Sequence, residues 1–464
     1  MSEIVNNITG HKNVCTEVVA RNLCIGCGIC ASICPRENLK IEFNKFGEYN
    51  ALEIGNSCGE KCNLCLQVCP FYNDKDNEDT LGKKLFAETP GIKHTPETGY
   101  YLNSFVGYSN IKSHRENGAS GGLATWTLEK LLTGNLVDHV ACVSGNNDPE
   151  KLFKFKICNT PEEVRECSRS CYYPVETSEV IKHILSHKGR YAIIALPCMC
   201  KAIRLAMHLI PKLQRRIRFM LGLVCNQTKS KFFVEYICGL GGGDPNCLRQ
   251  VTFRIKAPSR PASDFGLRFI SENGVNPSRE GVVFWTEGMN RIWFDRYFTP
   301  NACDFCDDVF AECSDATFMD AWLPEYVTDG RGHSIVLTRN REINNIFLSE
   351  CRKKRTVNLI SIDATIRSQS SVLFDKRSLI RERYSRYRRA SLPTRPIRSG
   401  LMSSCRYDQR VEAGIKLRIS RESPSQWISA DKDIERFRKR MRGLTLRLGA
   451  IREARKFLKK FLGR

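Results

Sequence analysis

The sequence predicts a small α+β domain, then a large α/β domain, then a basic helical tail. Three observations predict this. Eight cysteines crowd into the stretch from Cys24 to Cys69. Beyond about residue 104, short apolar runs alternate with glycine-rich loops and segments of helical period. Beyond about residue 380, Lys and Arg dominate and the strand signal fades. The expected boundaries are 15–75, a linker at 76–103, 104–380 and 381–464.

Composition narrows the classes. A chain of 464 residues with 42% hydrophobic residues can bury sizeable cores and is not a mostly disordered chain. Its 23 cysteines are too dilute for a small disulfide scaffold. The net charge of +22 implies acidic partners, nucleic acid or a membrane surface, and says nothing about fold. No run approaches the ~18 apolar residues of a membrane span. The segment from Met1 to Val14 lacks the apolar core of a signal peptide, so the chain is expected to be cytoplasmic, where thiols stay reduced. Reduced thiols in this number point to metal ligation.

In the first domain the cysteines form two runs. Cys24, Cys27, Cys30 and Cys34 have the C-x2-C-x2-C-x3-C-P spacing of bacterial ferredoxins. Cys58, Cys62, Cys65 and Cys69 repeat it with one extra residue in the first gap. Three close thiolates on a tight loop reach three corners of one iron–sulfur cube, and the fourth ligates the other cube. This predicts a ferredoxin-like domain with two [4Fe–4S] clusters. Cys24, Cys27, Cys30 and Cys69 hold one; Cys58, Cys62, Cys65 and Cys34 hold the other. The fourth cysteine of each run is expected to start a short helix. Gly26 and Gly28 let backbone N–H groups approach the sulfurs, and Pro35 and Pro70 turn the chain away. Two zinc knuckles are the alternative, disfavoured because both runs end in Cys-Pro. Cys15 lies outside the pattern. Between the runs Leu39–Phe43 alternates as a strand, with a turn at Gly47.

In the second domain, Phe105–Tyr108 reads as a strand. Gly118-Ala-Ser-Gly-Gly122 then opens a helix over 123–132, closed by Gly134. A strand over 137–143 follows. A Gly/Ser loop running into a helix N-terminus suits an anion such as a pyrophosphate, though many such loops are simply helix starts. Residues 191–196 form a short buried strand ending at Pro197-Cys198, with a helix over 201–209. The strand over 217–224 ends at Cys225. Ligands gather at such strand ends in open α/β sheets. The Cys303/Cys306 pair brings the count to four, enough for a third cluster, although a lone cysteine is usually a small buried hydrophobe.

These residues carry a family resemblance. Gly118–Gly122, Gly134-Asn-Leu-Val-Asp138, Leu196-Pro-Cys198, Leu223-Val-Cys225, the Cys303/Cys306 pair, Asp315–Asp320 and Gln369…Lys376-Arg377 occur in order. Together they resemble the beta-subunit family of deazaflavin-coenzyme hydrogenases and dehydrogenases, iron–sulfur flavoproteins that include 7-hydroxymethyl chlorophyll reductase. The resemblance implies that the α/β domain is flavin-binding. FAD would lie near Gly118, Ser120, Gly121 and Gly122, beside a third [4Fe–4S] cluster on Cys198, Cys225, Cys303 and Cys306. Cys200 and Cys313 compete as ligands for that cluster. The chain departs from the family at Leu196, at Asn226, where His is common, and at Ser170-Cys171-Tyr172, where Ser-Lys-Tyr is usual.

The last 34 residues hold 13 Lys/Arg and 4 Asp/Glu. Leu444, Leu448, Ile451, Phe457, Leu458, Phe461 and Leu462 fall at near-helical spacing, a basic amphipathic helix. It is expected to dock on the body, to meet an anionic membrane surface or to meet an acidic partner; nucleic acid is not expected, since no reading motif accompanies the charge. The reading as a whole is an oxidoreductase passing electrons between a ferredoxin or another redox protein, the clusters, FAD and a small-molecule substrate. The alternatives are an electron-transfer subunit with no substrate of its own and a zinc-binding interaction protein. No strand–G-x-G-x-x-G–helix signature for a nicotinamide appears.

Overall fold

Alternating burial makes Leu39–Phe43 (β1) and Tyr49–Glu53 (β2) an antiparallel hairpin, with Leu39 and Ile41 facing inward. The Asn44 side chain accepts the N–H groups of Phe46 and Glu48 and closes the turn at Gly47. Two single-turn helices, Ile29–Ser32 and Leu64–Gln67, flank the hairpin. Each contains the third cysteine of its run and ends before the fourth, so Cys34 and Cys69 follow a helix rather than start one. The computed structural model describes residues 12–462 except 56–57, 59–61, 73–75, 273–277, 354–355, 395–396 and 399–404.

The stretch expected as a linker is built structure. Glu78–Phe86 is a helix capped by the Asn77 side chain, which accepts the Thr80 N–H at 2.9 Å. Its Leu81 and Phe86 are buried. A hairpin of Lys93–Thr95 (β3) and Gly99–Tyr101 (β4) follows. The polar composition misled because only one face of a nine-residue helix needs apolar residues.

The middle of the chain forms an eight-stranded sheet from Asn103–Gly107 (β5), His139–Gly145 (β6), Phe153–Cys158 (β7), Tyr191–Ala195 (β8) and Ile217–Leu223 (β9), with three later strands. Leu248–Ile255 (β10), Gly266–Ser271 (β11) and Arg279–Phe284 (β12) make a separate antiparallel sheet. Ala316–Asp320 (β13), Ser334–Thr338 (β14) and Val357–Ile360 (β15) complete the large one, in the order β15-β5-β14-β13-β9-β8-β6-β7. β6, β8, β9 and β13 run parallel, and β14 is antiparallel to both β13 and β5. The C-terminal ends of β5, β6, β8, β9 and β13 therefore share one edge. The apolar runs become strands buried on both faces, as a parallel sheet requires.

Several core residues are common to the domains. Ile29 and Val68 of the cysteine-rich domain pack in one cluster with Ile181, Ile193 and Ile203 of the sheet domain. Gly28, at φ 85°, sits against the Thr177 backbone, and Thr177 donates both its N–H (3.0 Å) and its hydroxyl (2.6 Å) to the Cys27 carbonyl. A side chain at Gly28 would collide at this junction.

The tail folds as helices Ile380–Arg389, Tyr407–Ser429 and Ile434–Leu462. Trp427, Phe437, Met441, Leu444 and Leu448 fill a core with Tyr236, Phe298 and the three-stranded sheet. Burying each such side chain contributes roughly 1.5–3 kcal/mol. The expected apolar stripe is divided: Leu444 and Leu448 are buried, whereas Phe457, Leu458 and Phe461 are exposed. Among the described residues no helix is long and apolar enough to cross a membrane.

Candidate functional site

Cys24, Cys27, Cys30 and Cys69 line one cavity, with Val14, Leu23, Ile41, Val68 and Phe71 as its apolar wall. The Gly26 N–H donates to Cys24 Sγ at 3.4 Å, and N–H groups of Ile29 and Phe71 point to the sulfurs of Cys27 and Cys69. Burial pushes the Cys27 thiol up to about 12, and the Cys24 thiolate adds to this. Cys30 and Cys69 are raised likewise, first by burial and then by their neighbours in this quartet. A dry pocket of four thiols, each aimed at backbone N–H groups or at one another, fits a cationic metal–sulfide cluster, which supplies the charge that ionises them.

The second quartet is more open. Burial raises the Cys65 thiol to about 11, with Cys58 and Cys62 as its thiol neighbours. Cys58 in turn faces Cys62 and Cys34. The Asn38 N–H donates to Cys34 Sγ at 3.4 Å. The pairing crosses between runs: Cys69 lies with the first three cysteines, and Cys34 with the second three.

In the sheet domain the structure gathers Cys198, Cys225, Cys303 and Cys306. Cys198 lies in the first turn of helix Pro197–Leu209, which begins four residues earlier than its periodicity suggested. Cys225 follows β9, and Cys303 sits in the turn Asn301–Phe305. Cys198 is raised by burial and then by Cys306, Cys225 and Cys303, so the four thiols are electrostatic neighbours. The Thr228 N–H donates to Cys303 Sγ at 3.5 Å. Cys200 and Cys313 stand apart: Cys200 donates to the Ala195 carbonyl, and neither has another of these cysteines among its electrostatic neighbours. The next thiol felt by Cys198 is Cys27 of the first quartet, so the two sets adjoin through the shared core.

Buried cations surround the third quartet. Lys376 donates from Nζ to Cys306 Sγ (3.1 Å) and to the carbonyls of Cys225 (3.1 Å) and Asp308 (2.6 Å). Burial alone would lower its pKa, but the sulfurs of Cys306 and Cys225 hold it above the ordinary lysine value. Arg398 pairs bidentately with Glu312 (2.8 and 2.9 Å) and reaches Asp307 and Asp79; Arg377 adds a second cation to Glu312. These bonds brace the segment carrying Cys306. Arg398 escaped the sequence reading because it lies in a stretch read as tail. The available signal was Asp304, Asp307, Asp308 and Glu312, all buried between Cys303 and Cys313, which require buried cations.

The glycine loop lies at the same sheet edge, beyond β5. A side chain at Gly121 would collide with the Gly107 carbonyl and the Ser334 N–H, and one at Gly122 with the His114 carbonyl. The Ser120 and Ser334 hydroxyls bond at 2.8 Å. The chain's own packing thus accounts for these glycines. The charge around the loop tells more. Arg254 donates to the Ala119 carbonyl and pairs with Asp320. Lys256 donates to the carbonyls of Arg115 (2.5 Å), Ser120 (2.7 Å) and Arg331 (2.6 Å). Burial first, then Arg254 repulsion, lowers Lys256 to about 7. A shallow crease with no room for a bound group as it stands lies beside it, lined by Ala119, Phe265, Gly330 and Gly332. Asp320 and Asp329 offset Arg254 and Arg115, whereas the hydrogen bonds of Lys256 go to carbonyls alone. Cys171, where a lysine is usual, is half-buried and donates to the Tyr173 carbonyl.

Residues 104–182 and 188–365 match the N-terminal and C-terminal parts of the family described as coenzyme F420 hydrogenase/dehydrogenase, beta subunit. Residues 17–40 match the 4Fe-4S binding domain. No curated protein matches. A similar solved chain belongs to the F420-reducing [NiFe] hydrogenase complex from Methanosarcina barkeri, in a xenon-derivatised crystal. It is 16% identical over 66% of this chain and 99% of that one, with a TM-score of 0.48.

Proposed function

From the premise that this chain belongs to the coenzyme F420 hydrogenase/dehydrogenase beta-subunit family, with an N-terminal 4Fe-4S domain, we propose that it is a flavin-dependent iron–sulfur oxidoreductase. Electrons would pass between a ferredoxin or another redox protein and a hydride-exchanging small molecule such as the deazaflavin coenzyme. One observation supports the reading: thiols from all three proposed quartets, among them Cys27, Cys30, Cys65, Cys69, Cys198 and Cys306, pack in or against one core, and Cys198 and Cys225 follow strand ends. Clusters there would relay single electrons, and FAD would exchange them with a two-electron substrate.

The chain's own residues do the rest. Twelve thiolates would hold three [4Fe–4S] clusters: Cys24, Cys27, Cys30, Cys69; Cys58, Cys62, Cys65, Cys34; and Cys198, Cys225, Cys303, Cys306. The N–H groups of Gly26, Asn38 and Thr228 and the Lys376 ammonium stabilise negative charge on the sulfurs. Arg254 and Lys256 hold the Ala119–Ser120 backbone, and their charge would favour a phosphate there. The apolar wall around Cys27 excludes water from the relay.

Anaerobic preparation of the full chain, followed by stepwise reduction with a reduced ferredoxin, tests this. Cluster signals should appear by electron paramagnetic resonance, and flavin absorbance should bleach. Protein carrying clusters but no flavin, and passing no electrons to a deazaflavin, would leave the second reading: an electron-transfer subunit of a larger complex. That reading draws on the exposed Phe457, Leu458 and Phe461 at the basic end of the last helix, a surface suited to docking.

A further inference from the structure

Outside the three quartets, the sheet brings together Cys142, Cys158 and Cys167. Cys142 lies in β6 and Cys158 ends β7. In the antiparallel register Val140 faces Cys158 and Cys142 faces Lys156, so both thiols fall on the same face, diagonally across the strand pair. Helix Pro161–Glu166 folds back over that face and delivers Cys167 at its C-terminal end. The Sγ atoms of Cys142 and Cys158 are 3.6 Å apart, and so are those of Cys158 and Cys167. All three ligand atoms lie within 4.8 Å of one another.

We propose that these three thiols form a mononuclear metal site of the zinc class. The spacing decides among the uses of a thiol cluster. A zinc–sulfur bond of about 2.3 Å in a tetrahedron sets its ligand sulfurs about 3.8 Å apart. The observed separations match one ion shared by three sulfurs. A cubane is excluded, because its ligand sulfurs bind different irons and stand farther apart. A disulfide would join two of the thiols and leave the third without a role. Soft sulfur donors with no carboxylate among them select zinc over magnesium or calcium. Three thiolates on a divalent ion leave one negative charge. The Lys156 ammonium acts electrostatically on the Cys158 and Cys167 sulfurs, and the Ser144 side chain hydrogen-bonds Cys167. Cys142 and Cys158 are buried while Cys167 is partly exposed, so the fourth coordination position falls to a water molecule on the Cys167 side.

The position suggests what the ion does. β7 is the edge strand of the large sheet, and edge strands need covering or pinning. The ion would tie β7 to β6 and to the helix that covers them. It would also fix the start of the segment following Cys167, whose Tyr172 ring packs on Phe253 and Trp293 beside Arg254.

The test uses the full chain prepared anaerobically with its iron in place. Elemental analysis should give about one zinc per chain, and zinc-edge X-ray absorption should show a first shell of about three sulfurs near 2.3 Å. In Cys158→Ser/Cys167→Ser the zinc should fall to near zero while the iron content stays that of the parent. The absorption measurement on the parent stands even if the variant fails to fold. Three results overturn the proposal: a parent that takes up no zinc on dialysis against zinc chloride, zinc content unchanged in the double variant, or alkylation and mass analysis finding Cys158 and Cys167 joined as a disulfide.

Discussion

Lys376 Nζ lies 3.1 Å from Cys306 Sγ, fully buried and with no carboxylate within hydrogen-bonding reach of it among the described contacts. Its other hydrogen-bond partners are carbonyls, and its electrostatic neighbours are the Cys306 and Cys225 sulfurs first and the Asp308 carboxyl after them. A buried ammonium there favours the more negative, reduced form of a cluster held by Cys306. Lys376→Met should therefore make the potential of that cluster more negative. A shift of about 60 mV corresponds to one decade in a one-electron equilibrium and is the scale expected. Redox titration by electron paramagnetic resonance reads it directly. Lys376→Arg should recover most of the shift; equal potentials in parent and Met variant would remove the tuning role.

Ligand identity is tested by counting iron. Twelve thiolates in three quartets predict about 12 iron and 12 sulfide per chain. Cys303→Ser should lower both to about 8, with the N-terminal signals kept. Cys200→Ser and Cys313→Ser should leave the count unchanged, because the structure sets these thiols apart from the third quartet. Loss of iron in Cys200→Ser with none in Cys303→Ser would reverse the assignment.

Lys256, rather than the glycines, probes the flavin site. Gly121→Asp would disrupt packing against Gly107 and Ser334 whether or not a cofactor binds. Lys256→Met removes a half-buried cation beside the Gly118–Gly122 loop, and FAD affinity should fall about ten- to hundredfold, the scale of one charge-assisted hydrogen bond. Because burial lowers Lys256 to about 7, it is charged below that pH and neutral above it. Affinity in the parent should decline as pH rises through about 7, and bound phosphate should move that decline upward. The Met variant should show a flatter profile. Flavin content that ignores both substitution and pH would place the cofactor elsewhere.

What was legible in the sequence follows from range. The spacing Cys24-x2-Cys27-x2-Cys30 is local, and so were the hairpin at Gly47, the helix after Gly122 and the strands at Tyr191 and Ile217. The strand-end position of Cys225 could be read because an apolar run stops there. Contacts between distant segments that no motif or family resemblance ties together could not be read. The Cys142–Cys158–Cys167 group depends on a strand register that no single segment encodes. The helix at Glu78 was hidden by its polar surface, and Arg398 by the Pro- and Arg-rich stretch around it. Both belong to one buried ionic network and are explained only by the acids near Cys306.

That network sets a stability prediction. Arg398→Ala would leave Asp307 without its guanidinium and Glu312 with Arg377 alone. Removing one partner from a buried ion pair costs about 3–5 kcal/mol. Denaturant unfolding should show a loss on that scale, accompanied by easier loss of the third cluster, since the Cys306 segment is no longer braced. A loss under about 1 kcal/mol would class the network with ordinary surface pairs.

The end of the last helix separates docking from folding. Deleting 431–464 would remove Phe437, Met441, Leu444 and Leu448 from a shared core, so its effect on activity would be confounded with unfolding. Arg455 pairs with Glu412 at 2.6 Å and marks where the helix leaves the body. Beyond it, residues 456–464 carry four cations and no acid, with Phe457 60% and Phe461 68% exposed. Truncation after Arg455 should therefore change stability by no more than about 0.5 kcal/mol. If this end guides an acidic redox partner, the truncated chain should be reduced more slowly by ferredoxin, through the encounter rate. The difference should disappear at high salt, as the Debye length shrinks from ~10 Å at 0.1 M to ~3 Å at 1 M. Reduction by a small neutral reagent should be unaffected. Lys459→Glu with Lys460→Glu should slow the ferredoxin reaction further, because the sign of the field is then reversed. Unchanged ferredoxin kinetics together with lost binding to anionic phospholipid vesicles would assign this end to a membrane surface instead. If neither changes, the exposed rings and charges are a solvated helix end.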